Sequence, residues 1–328
     1  MNVVQKGLVV VAMLAAIAIS KNAAAADVRS SITSTNWLEL NGAIVGPVKI
    51  AAGGNVTADV VKEPGGEDVF VKKHLANPGY RDIVLQFDGN MDQAVYDWMR
   101  MALLRQYAPR DGAVIVASTG ATPTVTRRLE FSRAQITGIT FPALDASTKE
   151  AAYFTVRITP AGTTLNRKAT GTINLPKVTQ KAALLASNFR LNVSAVNTTK
   201  VSKVDEMTVT LPVLNSPLDV CFKCEPTPAP PIDFPMVTFT MLDSGADQVY
   251  QWLNDFVVQG NNGDAFEKDG SLDYMSGNMT TALFTLAFKH LGIVEVAPVP
   301  LGSGGEAIRR VDVTMYCEQM EFPSNQPN

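Results

Sequence analysis

Catalysis or metal binding needs nucleophiles, ligands and titratable groups at workable spacing, and this chain of 328 residues carries three Cys and two His. The most noticeable local motif is Cys221-Phe222-Lys223-Cys224. A thioredoxin-type pair sits at a strand-to-helix turn, where the helix N-terminus lowers a thiol pKa. Here Glu225-Pro226-Thr227-Pro228-Ala229-Pro230-Pro231 follows, and prolines at that density do not allow a helix to start in that form. A structural zinc would need a fourth ligand beyond Cys221, Cys224 and Cys317, which leaves His74 or His290. In an oxidising compartment the pair reads first as a Cys221–Cys224 disulfide stapling a long loop, with Cys317 buried and free. A link from Cys317 to this loop, or to another subunit, stays open.

The other candidates have simpler readings. Gly302-Ser303-Gly304-Gly305 lacks the Lys-Ser/Thr and the helix of a phosphate-binding loop, and leads through Glu306-Ala307-Ile308-Arg309-Arg310 into a strand. Each lone His lacks a neighbouring nucleophile and reads as structural. Asp88/Asp92 and Glu318/Glu321 fit helix caps and solvated surface. Arg127-Arg128 and Arg309-Arg310 each open a strand and are expected as solvated strand ends, with ion pairing between subunits or a lumen lining as the alternative. The expectation is no enzyme, no cofactor and no metal.

The elements that would position any site begin with a leader. Lys6, the apolar run from Leu8 to Ile19 and Ala23-Ala24-Ala25-Ala26 have the order of a secretory signal peptide. The run is too short to span a bilayer, which needs about 18 or more apolar residues. Cleavage before Asp27 would leave 302 residues with 26 basic against 31 acidic side chains. That balance gives no electrostatic pull on nucleic acid and no polybasic membrane signal. The expected product is soluble and exported, periplasmic or extracellular, with no membrane span.

An internal repeat organises the rest. Val95-Tyr96-Asp97-Trp98-Met99 and Val249-Tyr250-Gln251-Trp252-Leu253 lie 154 residues apart. The alternating strands before them, Ile83/Leu85/Phe87 and Val237/Phe239/Met241, keep that offset, as do Gly138-Ile139 and Gly292-Ile293. Val95, Trp98, Met99, Ala102 and Leu103 form one apolar helical face, repeated by Val249, Trp252, Leu253, Phe256 and Val257. Asp92 is the expected cap of the first helix, and Asp243 or Ser244 of the second. Tyr96, Trp98, Tyr250 and Trp252 are expected as helix anchors in the core. Short strands precede each helix, near residues 36–40 and 56–61, and near 188–191 and 207–214. Irregular stretches are expected at 62–82 and 215–236, and a polar boundary near 161–186. After the helices come strands at 128–131, 137–141 and 153–158, then at 282–289, 292–296 and 310–316.

This order of elements, with Asp92-Gln93-Ala94-Val95-Tyr96-Asp97-Trp98-Met99 after a strand and the loop Lys72-Lys73-His74-Leu75-Ala76-Asn77-Pro78-Gly79-Tyr80 before it, resembles the phage tail-tube superfamily, which includes the Hcp tube protein of type VI secretion. The resemblance covers about residues 36–160 and extends over 187–322 through the repeat. It implies a mainly β (α+β) fold: two tandem tail-tube-like antiparallel β-sandwich or barrel domains, each with one amphipathic helix. The expected division is a leader at 1–26, a first domain at 27–175 and a second at 176–328 carrying the Pro-rich, Cys-containing loop 215–236. It also implies a structural subunit that pairs with itself edge to edge, three chains completing a pseudo-hexameric ring that stacks into a tube. Lys72, Lys73, His74, Tyr80, Phe222 and Pro230 are then assembly-loop candidates. A leader departs from that superfamily, whose tubes assemble in the cytoplasm. A cytoplasmic phage or contractile-injection tube protein is therefore one alternative, and a secreted monomeric β-sandwich binding module another.

Overall fold

A computed structural model describes residues 34–63, 70–89, 91–120, 122–174, 184–214, 230–300 and 308–323. The expected leader, Gly302–Gly305 and the segment holding Cys221, Phe222 and Cys224 lie outside the described residues. The fold is mainly β and antiparallel, with two short α-helices among the described residues.

The first half contributes β1 (Ser34–Leu40), β2 (Ala43–Val48), β3 (Ile50–Gly53), β4 (Val56–Glu63), β5 (Lys72–Tyr80) and β6 (Ile83–Phe87). After α1 (Gln93–Leu103) come β7 (Arg110–Ser118), β8 (Val125–Phe141), β9 (Leu144–Asp145), β10 (Phe154–Thr159) and β11 (Gly162–Asn166). The second half contributes β12 (Phe189–Val193), β13 (Val201–Val204), β14 (Met207–Thr210) and β15 (Val237–Leu242). After α2 (Asp247–Leu253) come β16 (Lys268–Met275), β17 (Ala282–Pro298) and β18 (Arg310–Glu321).

Six strands of the first sheet run in the order β1-β7-β8-β10-β6-β3, and six of the second in the order β12-β16-β17-β18-β15-β13. Each strand thus has a counterpart at the same place in the other sheet. Period-2 burial sets the inward faces, as in β6, where Ile83, Leu85 and Phe87 point into the core while Val84 and Gln86 do not. The halves do not pack separately. Strand β14 of the second half pairs with β8 of the first, β13 pairs with β9, and buried residues of both halves share one core. The described residues of both halves accordingly cluster as one compact unit.

Several local expectations are corrected. The described residues of the 62–82 stretch are not irregular: β4 and β5 pair antiparallel, and the base of that pair rests on Arg81 N–H donating to Asn55 O at 2.9 Å. The stretch near 161–186 contains β11, which pairs with β8. The strands read separately at 128–131 and 137–141, and at 282–289 and 292–296, are the continuous strands β8 and β17. Strands β7 and β16 escape an alternation search. Ala113, Val114 and Ile115 of β7 are consecutively buried because both of its faces are covered, and β16 opens with the polar Lys268-Asp269-Gly270-Ser271. Gly138 and Gly292 are not equivalent positions. Phe131 pairs with Gly112 as Phe288 pairs with Gly270, so β8 and β17 correspond at an offset of 157 (288 less 131). The added residues lie in the longer connection after α2.

The Asp92 carboxylate caps α1, accepting from Ala94 N–H at 2.8 Å. Neither Asp243 nor Ser244 caps α2. They lie in a 3-10 turn (Asp243–Gly245), Ala246 takes the cap position, and the Asp243 carboxylate accepts from the Tyr250 hydroxyl at 3.4 Å. Helix α2 continues into a π-turn (Asn254–Val258). No helix among the described residues is long and apolar enough to cross a membrane.

Candidate assembly surface

The surface that joins the two halves is built from strand edge, helix and aromatic packing. Beyond Ala134, β8 is no longer paired with β7, and its edge accepts β14 in the register Thr210↔Gly138, Val209↔Ile139, Thr208↔Thr140 and Met207↔Phe141. The ladder extends to Leu211 N–H donating to Thr137 O at 2.9 Å, and the Thr140 and Thr208 hydroxyls lie 2.9 Å apart. Behind it, the rings of Tyr96, Phe141 and Phe154 pack against those of Tyr274, Phe284 and Phe322, with Phe154 and Phe284 at 4.5 Å. These rings account for a large apolar payload at the joint. The Tyr96 hydroxyl donates to Pro323 O at 3.2 Å, and the Gln135 side chain exchanges two hydrogen bonds with the Leu214 backbone.

The anchors divide three to one. Tyr96, Trp98 and Trp252 are buried, and the Trp98 indole N–H donates to Ala108 O at 2.9 Å. Tyr250 is a correction: it is exposed, and its hydroxyl reaches the Asp243 carboxylate on the polar side of the helix start. Of the hairpin candidates, Lys72, Lys73, His74 and Tyr80 all belong to β5. His74 lies 3.4 Å from the Glu63 carboxylate across that hairpin. Pro230 is exposed, and its carbonyl accepts from Arg105 Nε at 3.1 Å while Arg105 Nη1 donates to Pro212 O at 3.1 Å. The first half's helix exit thus grips the described residues on either side of the Pro-rich loop.

The titratable groups are engaged structurally. Arg128 is not a solvated strand end: it meets both oxygens of Glu39 at 2.6 and 2.9 Å and reaches Glu130 at 2.9 Å, which raises its already high pKa. The fork of a guanidinium matches a carboxylate in this way. Asp145 is lowered to about 2, first by the Ser147 hydroxyl and backbone N–H and then by Lys203. Burial pushes the Cys317 thiol up to about 11, so it is a poor nucleophile at neutral pH. Glu267, His290 and Glu318 hold ligand atoms within 4.8 Å of one another, but the Glu267 oxygens already accept from the Tyr316 hydroxyl at 2.6 Å and meet His290 Nδ1 at 2.8 Å. Asp269 is lowered by its bond with Lys289. What this geometry can do is pair strands.

Sequence reasoning missed β14 as the strand that crosses between halves, and it missed Phe284 and Phe322. The period-2 pattern showed which residues turn inward but carried no signal for the sheet they would meet.

No protein-family model matches the chain, and no curated protein matches it. Among solved structures, it is similar to a chain of the sheath-tube complex of an extracellular contractile injection system (PVC) in the extended state, at 17% identity and a TM-score of 0.34, over 40% of this chain and 88% of that one. It is also similar to a chain of the anti-feeding prophage cap, the tube-terminating cap, at 21% identity and a TM-score of 0.35, over 40% of this chain and 87% of that one. A third is a chain of the anti-feeding prophage baseplate, at 16% identity and a TM-score of 0.33, over 40% and 91%.

Proposed function

We propose that this protein is a structural subunit of the tail-tube type, made of two tube-like units in tandem by duplication, which assembles with its own copies into rings and stacked rings. The observation that carries this reading is the repeated six-strand order, with each half adding one helix between its third and fourth strands in chain order. Strands β4 and β17 support it: among the described residues each keeps an unpaired backbone edge, a hazard in a monomer and an interface in an assembly. Three chains would supply six unit positions, the closed-ring solution for a duplicated chain. The role is geometric, and no residue is assigned a chemical step.

Export with loss of residues 1–26 belongs to the same proposal, on the leader pattern alone. The test is negative-stain electron microscopy of protein purified from the exporting cell, with its N-terminus read by mass spectrometry. Rings or hollow tubes of chains beginning at Asp27 are expected. Dispersed single particles at high concentration would sink assembly, and an intact Met1 would sink export.

A further inference from the structure

Three of the exposed apolar residues are the counterparts of residues buried where the two halves join. Tyr96 is 5% exposed at that joint, and its repeat counterpart Tyr250 is 39% exposed. Phe322 at 3% corresponds to Leu165 at 42%, since β11 occupies beside β8 the place that the end of β18 occupies beside β17. Val209 of β14 is fully buried, while its counterpart Val56 of β4 is 65% exposed. Each of these two valines stands five residues beyond the partner of a repeated position, Ala51 opposite Leu85 and Val204 opposite Phe239.

The accepting edge has a counterpart too. In the β8–β10 ladder Thr137 is the residue skipped at a bulge, and in the β17–β18 ladder it is Val294. Residues 294–298 of β17 therefore occupy the place of 137–141 of β8, but no described strand lies on their outer edge. The backbone phases agree. Arg81 N–H bonds Asn55 O, so Asn55 and Thr57 turn toward β5 and leave the polar groups of Val56 and Ala58 outward. Val299 N–H bonds Arg310 O at 3.0 Å, so Ala297 and Glu295 turn toward β18 and leave those of Val294 and Val296 outward.

Resting on the self-assembly reading above, we infer that β4 of one chain adds antiparallel to residues 294–298 of β17 in a second copy, in the register Val56↔Val296 and Thr57↔Glu295, and that the second copy's Tyr250 packs there beside Leu165 of the chain that donates β4. The joint between chains repeats the β14–β8 joint within the chain. Each chain then offers its first half to one neighbour and its second half to the other, a head-to-tail contact that makes a ring if it closes and a helical filament if it does not.

Thr57 and Glu295 are exposed, and in this register they form a non-hydrogen-bonded pair with Cα atoms about 4.5 Å apart, inside the disulfide range. Full-length Thr57→Cys protein is mixed with Glu295→Cys protein, allowed to assemble and mildly oxidised, and cross-linked peptides are read by mass spectrometry. The expected product is a disulfide joining positions 57 and 295 between chains. It should exceed by at least about tenfold the link formed when Lys289→Cys replaces Glu295→Cys, a position six residues along the strand and about 20 Å away. Rings or tubes without the 57–295 link overturn this register and leave assembly standing. No particles and no link overturn both, and an intrachain link in dilute doubly substituted protein overturns the inference by itself.

Discussion

Replacing Phe284 by Ala tests whether the two halves fold as one. The Phe284 ring is buried and lies 4.5 Å from Phe154, 5.1 Å from Phe322, 5.4 Å from Tyr274 and 5.8 Å from Tyr96. Burial and the unfilled cavity together set a cost of about 3–5 kcal/mol for Phe→Ala in a well-packed core. Two of the four rings, Phe154 and Tyr96, belong to the first half, and each aromatic pair contributes about 0.5–1.5 kcal/mol beyond area. At a few degrees per kcal/mol, the loss corresponds to a fall in Tm on the order of 10 °C. The assay is urea unfolding followed by tryptophan fluorescence in Trp37→Phe/Trp98→Phe and Trp37→Phe/Trp252→Phe backgrounds, which leave a single reporter in α2 or in α1. Both reporters should move to lower urea together although the lesion is in β17. A second-half transition that shifts while the Trp98 signal stays in place would refute the shared core, and a loss under about 1 kcal/mol would refute the packing argument.

Two further predictions concern charge. The folded Asp145 carboxyl titrates near 2, below its ordinary 3.8, so its bonds to Ser147 and Lys203 add stability that is fully present above about pH 4 and lost as pH falls through about 2. Asp145→Asn should therefore flatten the fall of the urea midpoint over that window, and an unchanged slope would count against this cause. Arg128→Ala leaves the largely buried Glu39 carboxylate without its paired donors and should cost about 1.5–3 kcal/mol at pH 7, with Arg128→Lys recovering only part because the two-pronged geometry is lost. Stability within about 0.5 kcal/mol of the parent in Arg128→Ala would show the pair to be dispensable.

Much of the fold was legible in local pattern. Alternation in 83–87 and 237–242 marked β6 and β15, the 3.6-residue stripe marked α1 and the start of α2, and Asp92 lay where a cap belongs. A mainly β architecture with one helix per half followed from these. Of the hairpin, the strand near 56–61 was legible as β4, but its partner β5 was not, because its residues are mostly exposed and lack a buried face to impose period 2. Arg128 was misread for a related reason: its partner Glu39 is distant in sequence and two strands away in the sheet.

By itself, the sequence determined that similar strand and helix patterns occur in both halves of the chain, because side-chain periodicity is a local property. Tertiary structure alone decided that the two halves are used unequally. The same place in the repeat carries β14, buried against β8, and β4, projecting beside β5 with an open edge. Strand pairing is a contact between backbone edges, which every residue type presents alike. Which edges are satisfied within one chain is therefore settled by where the sheets lie in space.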